Sequence, residues 1–223
     1  PRPAEQAAQE PTRREVVQRA YQLRLKARRY ADAGDLIRAV VRVRKALELT
    51  PESLSGTRQL ADYLRQQGRT DAAVEAYRKA IDIDPKYAEA HAGLAKALEN
   101  LATNNFADLD QVVDKAEAAA RRSIELAPTL AEGHMVLSVL ASGYRLDPAV
   151  GMREIDKAIS LDPGNVEVLI EYSRLHAIAG DFDTAIDAAL TAQELDPVST
   201  AAAQQLGTAN YFARNYDAAI IAF

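Results

Sequence analysis

Pro51, Pro85, Pro128, Pro163 and Pro197 stand 34, 43, 35 and 34 residues apart, and each follows an apolar residue by two positions, as in Leu49-Thr50-Pro51 and Ile83-Asp84-Pro85. A unit of about 34 residues is too short to bury an apolar face by itself, so successive units have to stack and share one continuous core. This spacing predicts an array of helical repeats, in which exposed surfaces bind and no single pocket is set aside for chemistry.

Counting each proline as position 32 places unit starts near Ala20, Leu54, Ala88, Ala131, Val166 and Thr200. Other positions obey the same frame. Positions 8, 20 and 27 are Ala27, Ala39 and Ala46; Ala61, Ala73 and Ala80; Ala95, Ala116 and Ser123; Ser138, Gly151 and Ala158; Ser173, Ala185 and Ala192; and Gly207 and Ala219. All 17 are small, although Ala, Gly and Ser make up only 62 of the 223 residues. Small side chains let two antiparallel helices approach to the short end of the roughly 8–10 Å interaxial range. Larger apolar residues then fill the flanks: Leu60, Leu94, Leu137, Tyr172 and Leu206 at position 7, and Val43, Tyr77, Ile155 and Phe223 at position 24.

Two helices per unit follow from the punctuation. Gly34, Gly68 and Gly180 share position 15, where glycine ends a helix in the left-handed region. Asp147-Pro148 supplies an N-cap and a first-turn proline. Asp84-Pro85, Asp162-Pro163 and Asp196-Pro197 stop second helices. The expected fold is all-α: a right-handed superhelical solenoid of antiparallel helix pairs with about six repeats. Residues 1–19 are expected to be a linker and the start of the first helix, and residues 20–223 the array.

The pattern resembles the tetratricopeptide repeat (TPR), whose consensus places Trp, Leu, Gly, Tyr, Ala, Phe and Pro at positions 4, 7, 8, 11, 20, 24 and 32. The resemblance covers residues 20 to 223. The position-4 tryptophan is missing from every unit, with Leu23, Thr57, His91, His134, Leu169 and Ala203 in its place, and Lys26 and Asn210 also depart from consensus. A finer likeness, to the repeat tails of bacterial class III adenylate/guanylate cyclases and winged-helix regulators, is carried by three stretches: Ala20 to Tyr30, Ala116 to His134 and Glu194 to Ile220. It implies a sensory or scaffolding segment coupled to an effector located before Pro1.

In this family the first helix of each pair lines the concave face with positions 2, 5, 9 and 12. Carried over, these give a groove that is basic early, with Tyr21, Arg24, Arg28, Ser55, Arg58, Asp62 and Arg65, and mixed later, with Lys96, Glu99, Val139, Ser142 and Arg174. Arg24, Arg28, Arg58, Asp62, Arg65, Lys96 and Arg174 are therefore the candidate peptide-binding residues, and the arginines suit an acidic peptide. Exchanging Arg24, Arg28 and Arg58 for Glu is expected to abolish such binding. The carboxylate clamp of chaperone co-factors, with Asn at position 9 of its first two repeats, is disfavoured because Arg28 and Asp62 stand there.

Charge reinforces the asymmetry: residues 1–50 carry 12 Lys/Arg against 6 Asp/Glu, in a chain of net charge −5. The basic start could hold phosphates of nucleic acid or of a membrane surface. The pI near 5.3 and the absence of interleaved stacking aromatics disfavour that reading. Catalysis is not expected, since no phosphate loop, His-x-x-x-His pair or nucleophile motif occurs. Nor is a cofactor or metal: there are no cysteines, and the run Asp108, Asp110, Asp114 lacks the glycine and terminal glutamate of a calcium loop. His91, His134 and His176 are expected to be packing histidines.

Three expectations concern the edges of the pattern. Repeat 3 has nine extra residues within Asn100 to Val113, read as a longer turn, an extended helix or a partner-contacting loop. Repeat 4 has one extra near Gly143 to Ala149. The array stops at position 24 of repeat 6, which suggests a segment of a longer protein, or a homodimer formed through an open face of Leu206, Tyr211, Phe212, Tyr216 and Phe223. No run of apolar residues approaches membrane-spanning length, so the expected location is the cytoplasm, or the periplasm behind a membrane segment outside this chain.

Overall fold

In the computed structural model, which describes residues 11–104 and 109–222, the described chain is built from twelve α-helices with short connections. The chain divides into two compact units, Pro1–Pro85 and Lys86–Phe223. Unit 1 holds α1 (Arg13–Asp32), α2 (Leu36–Leu49), α3 (Leu54–Gln66) and α4 (Thr70–Ile83). Unit 2 holds α5 (Ala88–Asn104), α6 (Leu109–Leu126), α7 (Ala131–Val139), α8 (Pro148–Leu161), α9 (Val166–Ala179), α10 (Phe182–Leu195), α11 (Thr200–Phe212) and α12 (Tyr216–Ala222). In each unit every odd-numbered helix pairs with the next, and in unit 2 the first helices of successive pairs also touch one another.

First helices begin at Leu54, Ala88, Ala131, Val166 and Thr200. α1 alone starts seven residues early, because Thr12 and Glu15 form a capping box: the Thr12 hydroxyl accepts from the Glu15 amide at 3.3 Å, and the Glu15 carboxylate accepts from the Thr12 amide at 2.7 Å. That bond to the Thr12 backbone, with the Thr12 hydroxyl beside it, holds the Glu15 carboxyl below its ordinary range. Residues 1–10 and Phe223, which bear on the linker and position-24 expectations, lie outside the described residues.

All 17 small positions are buried. They allow close approach, and Val43, Tyr77 and Ile155 fill the space beside them. Ser173 adds a directional tie: its hydroxyl donates to the Ala185 carbonyl at 2.7 Å and accepts from Gln205 at 3.0 Å, joining α9, α10 and α11. Second helices end before the prolines, with Thr50, Asp84, Asp162 and Asp196 outside the helical region at φ between −134° and −142°.

The turns inside pairs among the described residues hold a left-handed residue. Gly34, Gly68 and Gly180 supply it at φ 78°, 71° and 84°, but Leu146 and Arg214 take the same role at 55° and 63°. A side chain there costs roughly 1–2 kcal/mol. Leu146 is 80% exposed, so its side chain returns little by burial. Leu146→Gly is expected to stabilise the protein by about 1 kcal/mol and to raise the melting temperature by about 2–4 °C in a thermal scan; an unchanged or lower midpoint would refute this account of the turn.

The nine extra residues of repeat 3 are spent mainly on helix length: α5 and α6 have 17 and 18 residues, against 13 and 14 in α3 and α4. The remainder falls on residues 105–108, outside the described residues. The single extra residue of repeat 4 coincides with a π-helical turn, Leu140–Tyr144, that continues α7.

Candidate functional site

In unit 1 the groove positions of α1 and α3 come together. Arg24 reaches from α1 to α3, donating through Nη1 to Ser55 at 2.7 Å and through Nε to Gln59 at 3.1 Å. Gln59 in turn donates to the Tyr63 hydroxyl at 2.9 Å. Asp62 accepts the Tyr77 hydroxyl at 2.6 Å and lies 3.9 Å from Arg58. Burial, with the Asp62 carboxylate beside it, pushes the Tyr77 phenol far above its ordinary range. Arg24 thus ties α1 to α3 and Asp62 ties α3 to α4, while Arg58 pairs with Asp62 within α3. Arg65 completes the stripe on α3.

Arg28 is different. It is exposed on α1, one turn beyond Arg24, and has no hydrogen bond or ion pair among the described residues. Its guanidinium is therefore available to a ligand. Toward the start of α1, Val16, Val17, Ala20, Tyr21 and Arg24 face the Leu49–Ser53 connection across an open cleft of about 570 Å³. Val17 stands before the first position of the repeat frame and was not reached by it. The signal that would have found it is the Thr-x-x-Glu sequence at 12–15, which extends α1 past the frame.

Unit 2 treats its cations otherwise. Lys96 lies 3.1 Å from the buried Glu99. Arg174 makes a two-point pair with the buried Glu171 at 2.6 and 2.7 Å and donates to Ser142 at 3.1 Å. The bond to Glu171 raises the Arg174 guanidinium above its ordinary value, against the effect of burial. Glu99 and Arg174 border a cleft of about 400 Å³ that is also lined by Thr103 and Tyr144, whose hydroxyls are 3.0 Å apart. Lys96 and Arg174 are each matched by an acid of their own helix, Glu99 and Glu171.

His134 sits 2.8 Å from Glu154, and His176 lies 3.0 Å from Asp181 and stacks on Tyr172 at 4.3 Å. No group of acidic, histidine or cysteine residues able to hold a metal occurs among the described residues. Of the residues considered for an open face, Leu206 is 7% exposed and buried, as its place at position 7 among the flank-filling residues expects. Tyr211, Phe212 and Tyr216 are exposed, and the Tyr211 ring meets each of the other two edge to face.

Residues 61–101 match the tetratricopeptide repeat family (TPR repeat). The fold of the chain resembles a thermophilic TPR protein of Thermus thermophilus, with a TM-score of 0.73 at 15% identity over 91% of this chain and 99% of that one. Residues 61–101 are thus tetratricopeptide repeat by sequence, and the fold of the chain is that of TPR proteins. Its TPR fold is similar also to Pseudomonas aeruginosa pilF, with a TM-score of 0.63, 19% identity and coverage of 94% of this chain and 90% of that chain. A chain of the APC/C hetero-tetramer Cut9–Hcn1 gives a TM-score of 0.75 at 15% identity over 94% of this chain and 41% of the other. No curated protein sequence matches the chain. The TPR solenoid is a fold typical of protein–protein interaction scaffolds, and TPR proteins are generally non-catalytic. No helix of the described residues is long and apolar enough to cross a membrane.

Proposed function

We propose that this TPR protein is a non-catalytic peptide-binding scaffold of a larger regulatory protein, and that it takes an acidic segment on the groove face of unit 1. The observation that carries the reading is Arg28, an exposed guanidinium without a hydrogen bond or ion pair among the described residues, standing on one face with Arg24, Arg58 and Arg65. A carboxylate can take two parallel N–H donors from such a group, and the flanking positive charge draws it there.

Arg24 ties α1 to α3 and Arg58 lies 3.9 Å from Asp62, so reversing them would disturb the face as well as its charge. Arg28→Glu is the cleaner test. A fluorescein-labelled, glutamate-rich peptide is expected to bind the native chain in a polarisation assay, more weakly as salt is raised. Arg28→Glu is expected to weaken that binding at least about tenfold, whereas Arg28→Lys keeps most of it. Equal affinity for Arg28→Glu and the native chain would remove the assignment.

A further inference from the structure

We infer that the ligand of the unit 1 groove carries an apolar side chain three residues from its acidic one, the first seated in the cleft beside Val17 and Tyr21 and the second on Arg28. This rests on the reading of that face as an acidic-peptide site and adds a specificity to it. Val17 and Tyr21 are each 51% exposed, and with Val16, Ala20 and Leu49 they give an apolar lining to a concavity of about 570 Å³. That volume accommodates a leucine or phenylalanine side chain.

Position and charge set the order of the two anchors. Tyr21 and Arg28 are seven residues apart on α1, a rise of about 10.5 Å at 1.5 Å per residue. An extended chain covers about 3.3 Å per residue, so three residues span the same distance. Arg13, Arg24 and Glu52 border the cleft, and Arg28 stands one helical turn beyond Arg24, outside it. Arg24 is occupied by Ser55 and Gln59, so the carboxylate pairs with the exposed Arg28, and the apolar group gains from the apolar lining of the cleft.

The test is selection of a random-sequence peptide display library on the full chain, followed by affinity measurements on a recovered peptide. Recovered peptides are expected to pair an apolar residue with Asp or Glu three positions away. Changing either anchor of the peptide, to Ser or to Gln respectively, is expected to lower affinity about tenfold. Tyr21→Ser should remove sensitivity to the apolar anchor and keep that to the acid, and Arg28→Glu should do the reverse. Val17 and Tyr21 are half exposed, and circular dichroism verifies that the variants keep their helices. Recovered peptides that are acidic but show no apolar preference would overturn this inference and leave the acidic-peptide reading standing. Recovery of peptides without acid, or of none, would overturn both.

Discussion

Tyr77→Ala is expected to destabilise unit 1 by about 4 kcal/mol, the range for truncating a fully buried aromatic side chain. Tyr77 is 1% exposed at the position that fills the gap left by Ala61, Ala73 and Ala80, all at 0%. Those alanines cannot grow into the vacated volume, and the helices they hold together cannot close over it, so a cavity remains. The substitution also strips Asp62 of a hydroxyl donor 2.6 Å away. Tyr77→Phe separates the two contributions: it keeps the ring and loses a hydrogen bond to a charged group, expected at about 1.5–3 kcal/mol. Urea denaturation followed by far-ultraviolet circular dichroism measures both. A Tyr77→Ala midpoint close to that of the native chain would show that the ring does not fill a close-packed interior.

The second large effect is overpacking. Gly151 lies on α8 where a Cβ would sit 2.9 Å from the Ser142 Cβ and 3.2 Å from the Ser138 carbonyl oxygen. Neither atom is the end of a flexible side chain, so a leucine there has to push helices apart. Gly151→Leu is expected to cost about 3 kcal/mol. Gly143, one position before the end of the π-helical turn, has nothing within 4 Å of the corresponding point. Gly143→Ala is the control and is expected to leave the urea midpoint unchanged or slightly raised. If the two glycines respond alike, steric contact is not what keeps position 20 of this repeat small.

Helix starts, pair boundaries and the buried small positions were legible because each is forced by a local requirement that repeats. A proline cannot continue a helix, and a close helix crossing cannot hold a large residue. Leu146 and Arg214 were not legible, since a left-handed residue other than glycine leaves no mark in composition. The face of unit 1 was legible as a set of residues and not as a set of roles. Periodicity put Arg24, Arg28 and Arg58 on one stripe, but only geometry shows Arg24 bonded to Ser55 and Gln59 while Arg28 stays open. Lys96 and Arg174 illustrate the same limit, because the acids that match them, Glu99 and Glu171, sit three residues away on the same helices.

The π-helical turn at Leu140–Tyr144 has a geometric consequence for everything that follows it. Each residue added to a regular α-helix rotates the later chain by about 100° around the axis, which would swing the α8 cap and its inward face toward solvent. The wider turn absorbs that rotation within five residues: Asp147 still caps α8, accepting from the Val150 amide at 3.0 Å, and Gly151, Ile155 and Ala158 still face inward. The fourth unit therefore contains its own change of length, so a one-residue insertion that would otherwise be a phase error along the whole downstream array is confined to a single turn of helix.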